Sequence, residues 1–319
     1  MKIKLLKNLL PVLIIIPFLF CFFLFWQKTN VLNIIHITDT HIENNKSRAF
    51  DAVEYSPLLL EDALKRINNI NGVDIVLFGG DLINNKSKKN LNTFYDLIKI
   101  LKYPYINAFG NHDFYGSNKD EMLKLTKRYN SNYKFDDTFY AFDIKNNRMI
   151  ILDSTIKNSK TANGFIDSMQ FKFLKKELEN NINKTVIIVL HHALYPPYEA
   201  KNHILFNASE LIKELEKYKN PIIILQGHYH ATKITTKDNI IYVSTPAMVT
   251  YPMAFRNIKI TNYKNKVKVD FSFYRTRLDD INNKNKLLHK DYKILEGELK
   301  DRNNKFIYDK KNKRFRVTK

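Results

Sequence analysis

Tyr105-Ile106-Asn107-Ala108-Phe109-Gly110-Asn111-His112-Asp113 is a strand-like run that stops on a glycine and then presents a carboxamide, an imidazole and a carboxylate in succession. Outward from it, four more blocks repeat the arrangement. Thr38-Asp39-Thr40-His41 follows residues 31–37, and Gly79-Gly80-Asp81 follows residues 74–78. His191-His192 follows residues 185–190, and Gly227-His228-Tyr229-His230 follows residues 221–225. The apolar runs have strand length and β-branched content, so five strand ends are expected to converge on one site. Carboxylate, carboxamide and imidazole without thiolate suit a pair of divalent or trivalent metal ions such as manganese, iron or zinc.

In extended backbone, residues i and i+2 project to one side, so Asp39 with His41, and His228 with His230, are each expected to grip one ion. Asp81 offers two oxygens and can bridge two ions, while Asn111 can give a neutral carbonyl oxygen. One such pair arises readily by chance, and a lone histidine is more often a hydrogen-bonded structural residue. The glycines add weight. Of 8 in the chain, Gly79, Gly80, Gly110 and Gly227 adjoin these residues, where tight turns or close backbone approach would use them.

In this order, the blocks resemble the calcineurin-like metallophosphoesterase superfamily, whose pattern is Asp-x-His, Gly-Asp, Gly-Asn-His-Asp/Glu, His and Gly-His-x-His. The resemblance spans residues 32–274 and implies a four-layer α/β/β/α sandwich of two mixed sheets. It implies that Asp39, His41 and His230 hold one metal, that Asn111, His191 and His228 hold the other, and that Asp81 bridges them. It further implies hydrolysis of a phosphate ester by a hydroxide bridging the two ions. His112 would stabilise the phosphoryl group or protonate the leaving oxygen, with Asp113 accepting its other ring proton. His192 faces away from its neighbour and is a candidate substrate contact only. Purple acid phosphatases carry a metal-binding tyrosine where this chain has Asn84, so that branch is disfavoured. Ser244-Thr245-Pro246-Ala247, Tyr251-Pro252 and Phe255-Arg256 are similar to the closing segment of the bacterial branch that includes class III cyclic nucleotide phosphodiesterases. The competing readings are a nuclease of the same superfamily and a scaffold that keeps the fold without catalysis. Intact ligands together with His112 disfavour the scaffold.

Helices are expected from Ser56-Pro57 onward and over residues 91–101, 119–129, 168–180 and 208–219. Two of them open on capping-box patterns, Asp167 with Gln170 and Asn207 with Glu210. Strands over 139–144 and 149–153, and again over 240–244, 254–260 and 267–274, follow one another without intervening helices, which fits mixed rather than purely parallel sheets.

Residues 9–26 form an uncharged apolar stretch just long enough to span a bilayer, with Lys2, Lys4 and Lys7 before it and Trp26 at its end. No small-x-small pattern follows. An uncleaved signal anchor over residues 1–30 is therefore favoured over a removed signal peptide, with the catalytic domain of residues 31–274 outside the cytoplasmic membrane. The single cysteine, Cys21, excludes an internal disulfide. The formal charge of +20 invites nucleic acid as a partner, yet Lys accompanies Asn and Ile throughout and no basic groove with interleaved aromatics stands out. Residues 275–319 read as a basic, solvated extension with one terminal hairpin, holding 13 Lys or Arg against 5 Asp or Glu from Ile281 onward. Nothing sets an oligomeric state.

Overall fold

Alternating burial along the strands builds the architecture. In the computed structural model, which describes residues 30–45, 52–114, 118–130, 133–156 and 159–318, strand β1 (Val31–Ile37) sends Leu32 and Ile34 to one face and Ile35 and Ile37 to the other. That is the period of two a pleated strand imposes. Strands β6 (Thr185–Val189) and β7 (Ile222–Gln226) divide likewise: Ile187, Val189, Ile223 and Leu225 meet Leu32 and Ile34, while Val186, Ile188, Ile222 and Ile224 face away. Strands apolar on both faces must be covered twice, and a one-residue slip would exchange the two coverings.

The first covering is sheet on sheet. One sheet has seven strands in the order β13-β12-β11-β10-β1-β2-β3, and the other has six in the order β4-β5-β6-β7-β9-β8. In the first, β1 runs parallel to β2 (Ile75–Gly79), which is parallel to β3 (Tyr105–Ala108). On its other side β1 pairs antiparallel with β10 (Ala254–Asn262), with Val31 opposite Thr261, and β10 pairs with β11 (Lys266–Arg275). In the second, β5 (Asn147–Ile151), β6, β7 and β9 (Ile240–Ser244) are parallel, edged by antiparallel β4 (Tyr140–Ile144) and β8 (Lys233–Lys237). The second covering is helical. Helices α1 (Ser56–Ile67) and α2 (Lys88–Ile98) lay Leu60, Leu64, Leu91 and Phe94 on the seven-stranded sheet, while α4 (Ser168–Asn180) and α5 (Ala208–Leu215) lay Leu174, Leu178, Leu211 and Leu215 on the six-stranded one. The expected α/β/β/α layering of two mixed sheets results, with α3 (Lys119–Tyr129) beside it.

Local chemistry sets several boundaries. Helix α2 begins three residues earlier than periodicity suggests because the Ser87 hydroxyl accepts from the Asn90 N–H. Asp167 caps α4 by accepting from the Gln170 N–H at 2.8 Å, but Gln170 turns its amide to the backbone of Asp153 and no reciprocal box forms. Asn207 departs further. Its side chain caps nothing and brackets the Ile166 backbone instead.

Residues 275–319 differ most from expectation. They form α6 (Asp279–Leu288), α7 (Tyr292–Glu296) and α8 (Leu299–Arg302), then the hairpin β12 (Asn304–Asp309) and β13 (Arg314–Val317). The hairpin is not solvated. It extends the seven-stranded sheet from β11, and Phe306, Tyr308 and Phe315 enter the core between the sheets. The basic residues between them sit on the outer face. The expected membrane anchor falls on residues 1–29, outside the described residues; among those described, no helix is long and apolar enough to cross a membrane.

Candidate metal centre

Parallel strands end together, and the loops leaving their carboxyl ends are where such sheets place ligands. Asp39 and His41 leave β1, Asp81 leaves β2, Asn111 leaves β3, His191 leaves β6, and His228 and His230 leave β7. Two triads of these side chains bring their donor atoms within 4.8 Å of one another: Asp39, His41 and His230, then Asp81, His191 and His228. Asp81 lies between them, its Oδ2 3.6 Å from His41 Nε2 and 3.1 Å from His191 Nε2. Asp39 Oδ1 is 3.3 Å from His230 Nε2 and 3.8 Å from His191 Nε2. The buried Asn111 lines the same cleft, whose volume is about 490 Å³.

The backbone beneath these side chains is not extended, which corrects the geometry expected from i, i+2 spacing. Asp39, His41, Asp81, His228 and His230 all have positive φ, between 40° and 68°. Left-handed conformations in non-glycine residues cost about 1–2 kcal/mol each and persist where the surroundings over-determine them. Here the surroundings are close. A Cβ on Gly110 would stand 2.2 Å from Asp81 Oδ1, and one on Gly227 would stand 2.6 Å from Asp39 Oδ2. Only glycine lets these neighbouring loops approach so nearly.

Electrostatics explains how so many polar groups stay buried. Burial opposes ionisation of Asp39, but the charges of His191 and His230 outweigh it and hold the carboxyl well below its usual range. Asp81 is likewise held low by His191 and His112 against the burial penalty. Burial pulls His191 down, yet the flanking Asp81 and Asp39 carboxylates raise it to about 10. Two buried carboxylates facing His191 thus call for positive charge there. A cation fits the same place. Asp39 Oδ1 and His41 Nε2, 3.8 Å apart, are buried without a hydrogen bond, and a positive ion between them would satisfy both.

Outer contacts orient these groups. His191 Nδ1 lies 3.0 Å from the Gly79 carbonyl oxygen, and His230 Nδ1 lies 2.7 Å from the Thr250 hydroxyl, the kind of contact that fixes which ring nitrogen faces an ion. His112 Nδ1 is 2.6 Å from the Asn84 carbonyl oxygen. That carbonyl, not Asp113, takes the ring proton. Residues 112–114 form a 3-10 turn, which points adjacent side chains in different directions. Asp113 instead accepts from the backbone N–H groups of Leu82, Ile83 and Gly110 and so ties the loops after β2 and β3 together. Burial and the Asp81 charge push its carboxyl up to about 8. His192 is fully buried, bonded to Ser154 at 2.8 Å and packed with its ring 4.4 Å from that of His228. It does not line the cleft, so the expected substrate contact is withdrawn. Tyr198, His203 and His289 do line it, and none was singled out from sequence. The first two lie in a loop without motif, and the third lies in the segment read as a solvated tail.

Two mixed sheets whose strand ends gather carboxylates and imidazoles into adjoining triads define a metal-dependent phosphoesterase. The family model described as calcineurin-like phosphoesterase matches residues 32–232, and the chain belongs to that family. Over 231 residues it is 26% identical to an Arcobacter nitrofigilis protein named "Probable glycerophosphodiester phosphodiesterase", covering 69% of this chain and 80% of that one. It is 25% identical over 228 residues to the 3′,5′-cyclic adenosine monophosphate phosphodiesterase of Haemophilus influenzae, covering 70% and 79%. A dimetal phosphatase from Danio rerio shares the fold with a TM-score of 0.62 at 15% identity, covering 77% of this chain and 99% of that one.

Proposed function

We propose that the protein hydrolyses a phosphodiester at a pair of metal ions, one held by Asp39, His41 and His230 and the other by Asn111, His191 and His228, with Asp81 between them. The observation that carries this reading is the position of Asp81, whose Oδ2 is within 3.6 Å of imidazoles from both triads. When bound, such a pair supplies an acidified water as nucleophile and neutralises charge on the phosphoryl oxygens. The chain's own residues do the rest. Asn84 holds the Nδ1 proton of His112, which leaves Nε2 to hydrogen-bond the phosphoryl group and, when protonated, to deliver a proton to the leaving oxygen. His191 and His230, their outer nitrogens already bonded, require little reorganisation, which favours rate over mere binding. The relatives named as phosphodiesterases support a diester over a monoester substrate.

We also place the domain outside the cytoplasmic membrane, tethered by residues 9–26. The basic residues ahead of that stretch support this orientation. Screening the protein against phosphomonoesters, phosphodiesters, cyclic nucleotides and DNA with manganese, iron or zinc tests the activity. Cleavage of diesters at rates rising with metal is expected, and inertness toward every phosphate ester would end the proposal. A reporter fused after Lys319 that is active only in the cytoplasm would overturn the orientation.

A further inference from the structure

A second cavity, of about 730 Å³, opens directly beside the metal cleft and shares Tyr198, His289 and Leu295 with it. Its volume falls within the roughly 300–1,000 Å³ of ligand-sized sites. Away from the shared Tyr198 and His289, the walls combine charged Glu199, Lys290 and Asp291 with aliphatic Leu288 and Ile294, both about half exposed. They are also fixed in place. The Thr232 N–H donates to the Leu295 carbonyl at 2.9 Å, and Leu295 packs beside Ala193, Tyr229 and Ala231. Gly297, at φ 67°, passes so near Thr232 that a Cβ would meet its carbonyl oxygen at 2.3 Å. On the facing wall, the Tyr198 hydroxyl donates to the Tyr229 carbonyl at 3.1 Å. Tyr229 stands between His228 and His230, so the groove is braced on the metal-ligand loop itself.

We propose that this groove takes the long aliphatic ester group of a phosphodiester whose phosphorus sits at the metal cleft. The inference rests on the hydrolase reading above and adds the substrate class. Half-exposed leucine and isoleucine beside a polar cleft leave water on apolar surface unless a chain covers them. A nucleobase would look for a ring to stack on. Leu288 and Ile294 offer none; the rings of this groove, Tyr198 and His289, stand where it joins the metal cleft, and Tyr198 is engaged edge-on with Tyr229, ring centroids 5.1 Å apart.

The test uses p-nitrophenyl phosphodiesters carrying methyl, butyl or octyl groups as dissolved monomers, with the wild-type protein and the Leu288→Asp and Ile294→Asp variants. KM is expected to fall about twofold for each methylene seated in a groove open along one side. Both variants should erase this dependence and leave turnover of the methyl ester unchanged. A KM independent of chain length, a dependence the variants do not alter, or a thymidine ester preferred over the octyl ester would overturn the proposal. Calorimetric binding of monomeric dodecylphosphocholine gives a readout separate from activity. Wild-type binding weakened at least tenfold in Leu288→Asp supports the groove, and absent or equal binding refutes it. If the methyl ester resists cleavage while dodecylphosphocholine still binds, the hydrolase reading fails and the groove stands.

Discussion

Gly110→Ala is the most local way to unseat Asp81. The added Cβ would stand 2.2 Å from Asp81 Oδ1 and 2.5 Å from the Asp81 backbone nitrogen, where ordinary contact begins at 3.4 Å. One or both loops must therefore yield by about 1.2 Å. Asp81 cannot swing aside freely, because Oδ1 accepts from the His112 N–H at 2.8 Å and its backbone is already at φ 50°. Overpacking of this kind costs about 1–3 kcal/mol, which a domain stable by about 5–15 kcal/mol survives. Rate is hit harder, since misplacing a reacting constellation by about 1 Å costs on the order of 10²-fold. The assay is kcat/KM for methyl p-nitrophenyl phosphate with saturating manganese, alongside metal content and melting temperature. Gly72→Ala is the control. It adds left-handed backbone strain that Gly110→Ala lacks, at φ 72°, with nothing within 4 Å of its Cβ, so it should lose about 1 kcal/mol of stability and no activity. Wild-type kcat/KM and metal content in Gly110→Ala, or equal losses in both variants, would refute the reasoning.

Asp81→Ala should bind less metal and lose about 10³-fold or more in turnover with little change in melting temperature. Near wild-type activity in metal-replete Asp81→Ala would sink the two-ion mechanism. Glu43 accepts from the Asn85 side chain at 2.6 Å and the Asn84 side chain at 3.3 Å, so it positions the loop whose carbonyl holds His112. Glu43→Ala should slow alkyl leaving groups, which need a proton, by about 10²-fold while sparing p-nitrophenolate; equal slowing of both would mark a merely structural role. Burial, aided by the Arg256 charge, lowers His36 to about 3, so its folded pKa lies below its unfolded value. The unfolded chain then takes up the extra proton, and stability falls as pH drops through about 6.5 toward 3. Between pH 7 and 5 that amounts to about 2 kcal/mol. His36→Gln should flatten urea-derived stability over this interval by the same amount, and an unchanged pH slope would contradict the assignment.

The five strand ends were legible because strands buried on both faces read as unbroken apolar runs and each stops on the residue types that bind metal. Parts of the site invisible in the sequence are of two kinds. Some are backbone atoms: the carbonyls of Asn84 and Gly79 orient His112 and His191, and a carbonyl has no letter. The left-handed geometry of Asp39, His41, Asp81, His228 and His230 is similarly unmarked, since the glycines that permit it stand in other loops. The rest is a matter of dilution. Leu295, Phe306, Tyr308 and Phe315 are spaced among lysines, so the segment read as solvated although these side chains pack against the core or the cleft. Asn207 misled for the converse reason, because a good cap residue found a better partner in the Ile166 backbone.

The place of β1 has a consequence for how the molecule comes into being. The earliest strand of the domain lies inside its sheet, with Ile34 paired to Ile75 on one side and Ile258 on the other. During synthesis it acquires its first partner early, but its second edge stays open until the chain reaches β10. Pairing so distant in sequence is slow, and an apolar edge left waiting invites association with other chains. Metal cannot shorten that wait, because His228 and His230 emerge almost as late. The strand that carries Asp39 and His41 is thus the first made and among the last secured, and the nascent chain needs protection over just that interval.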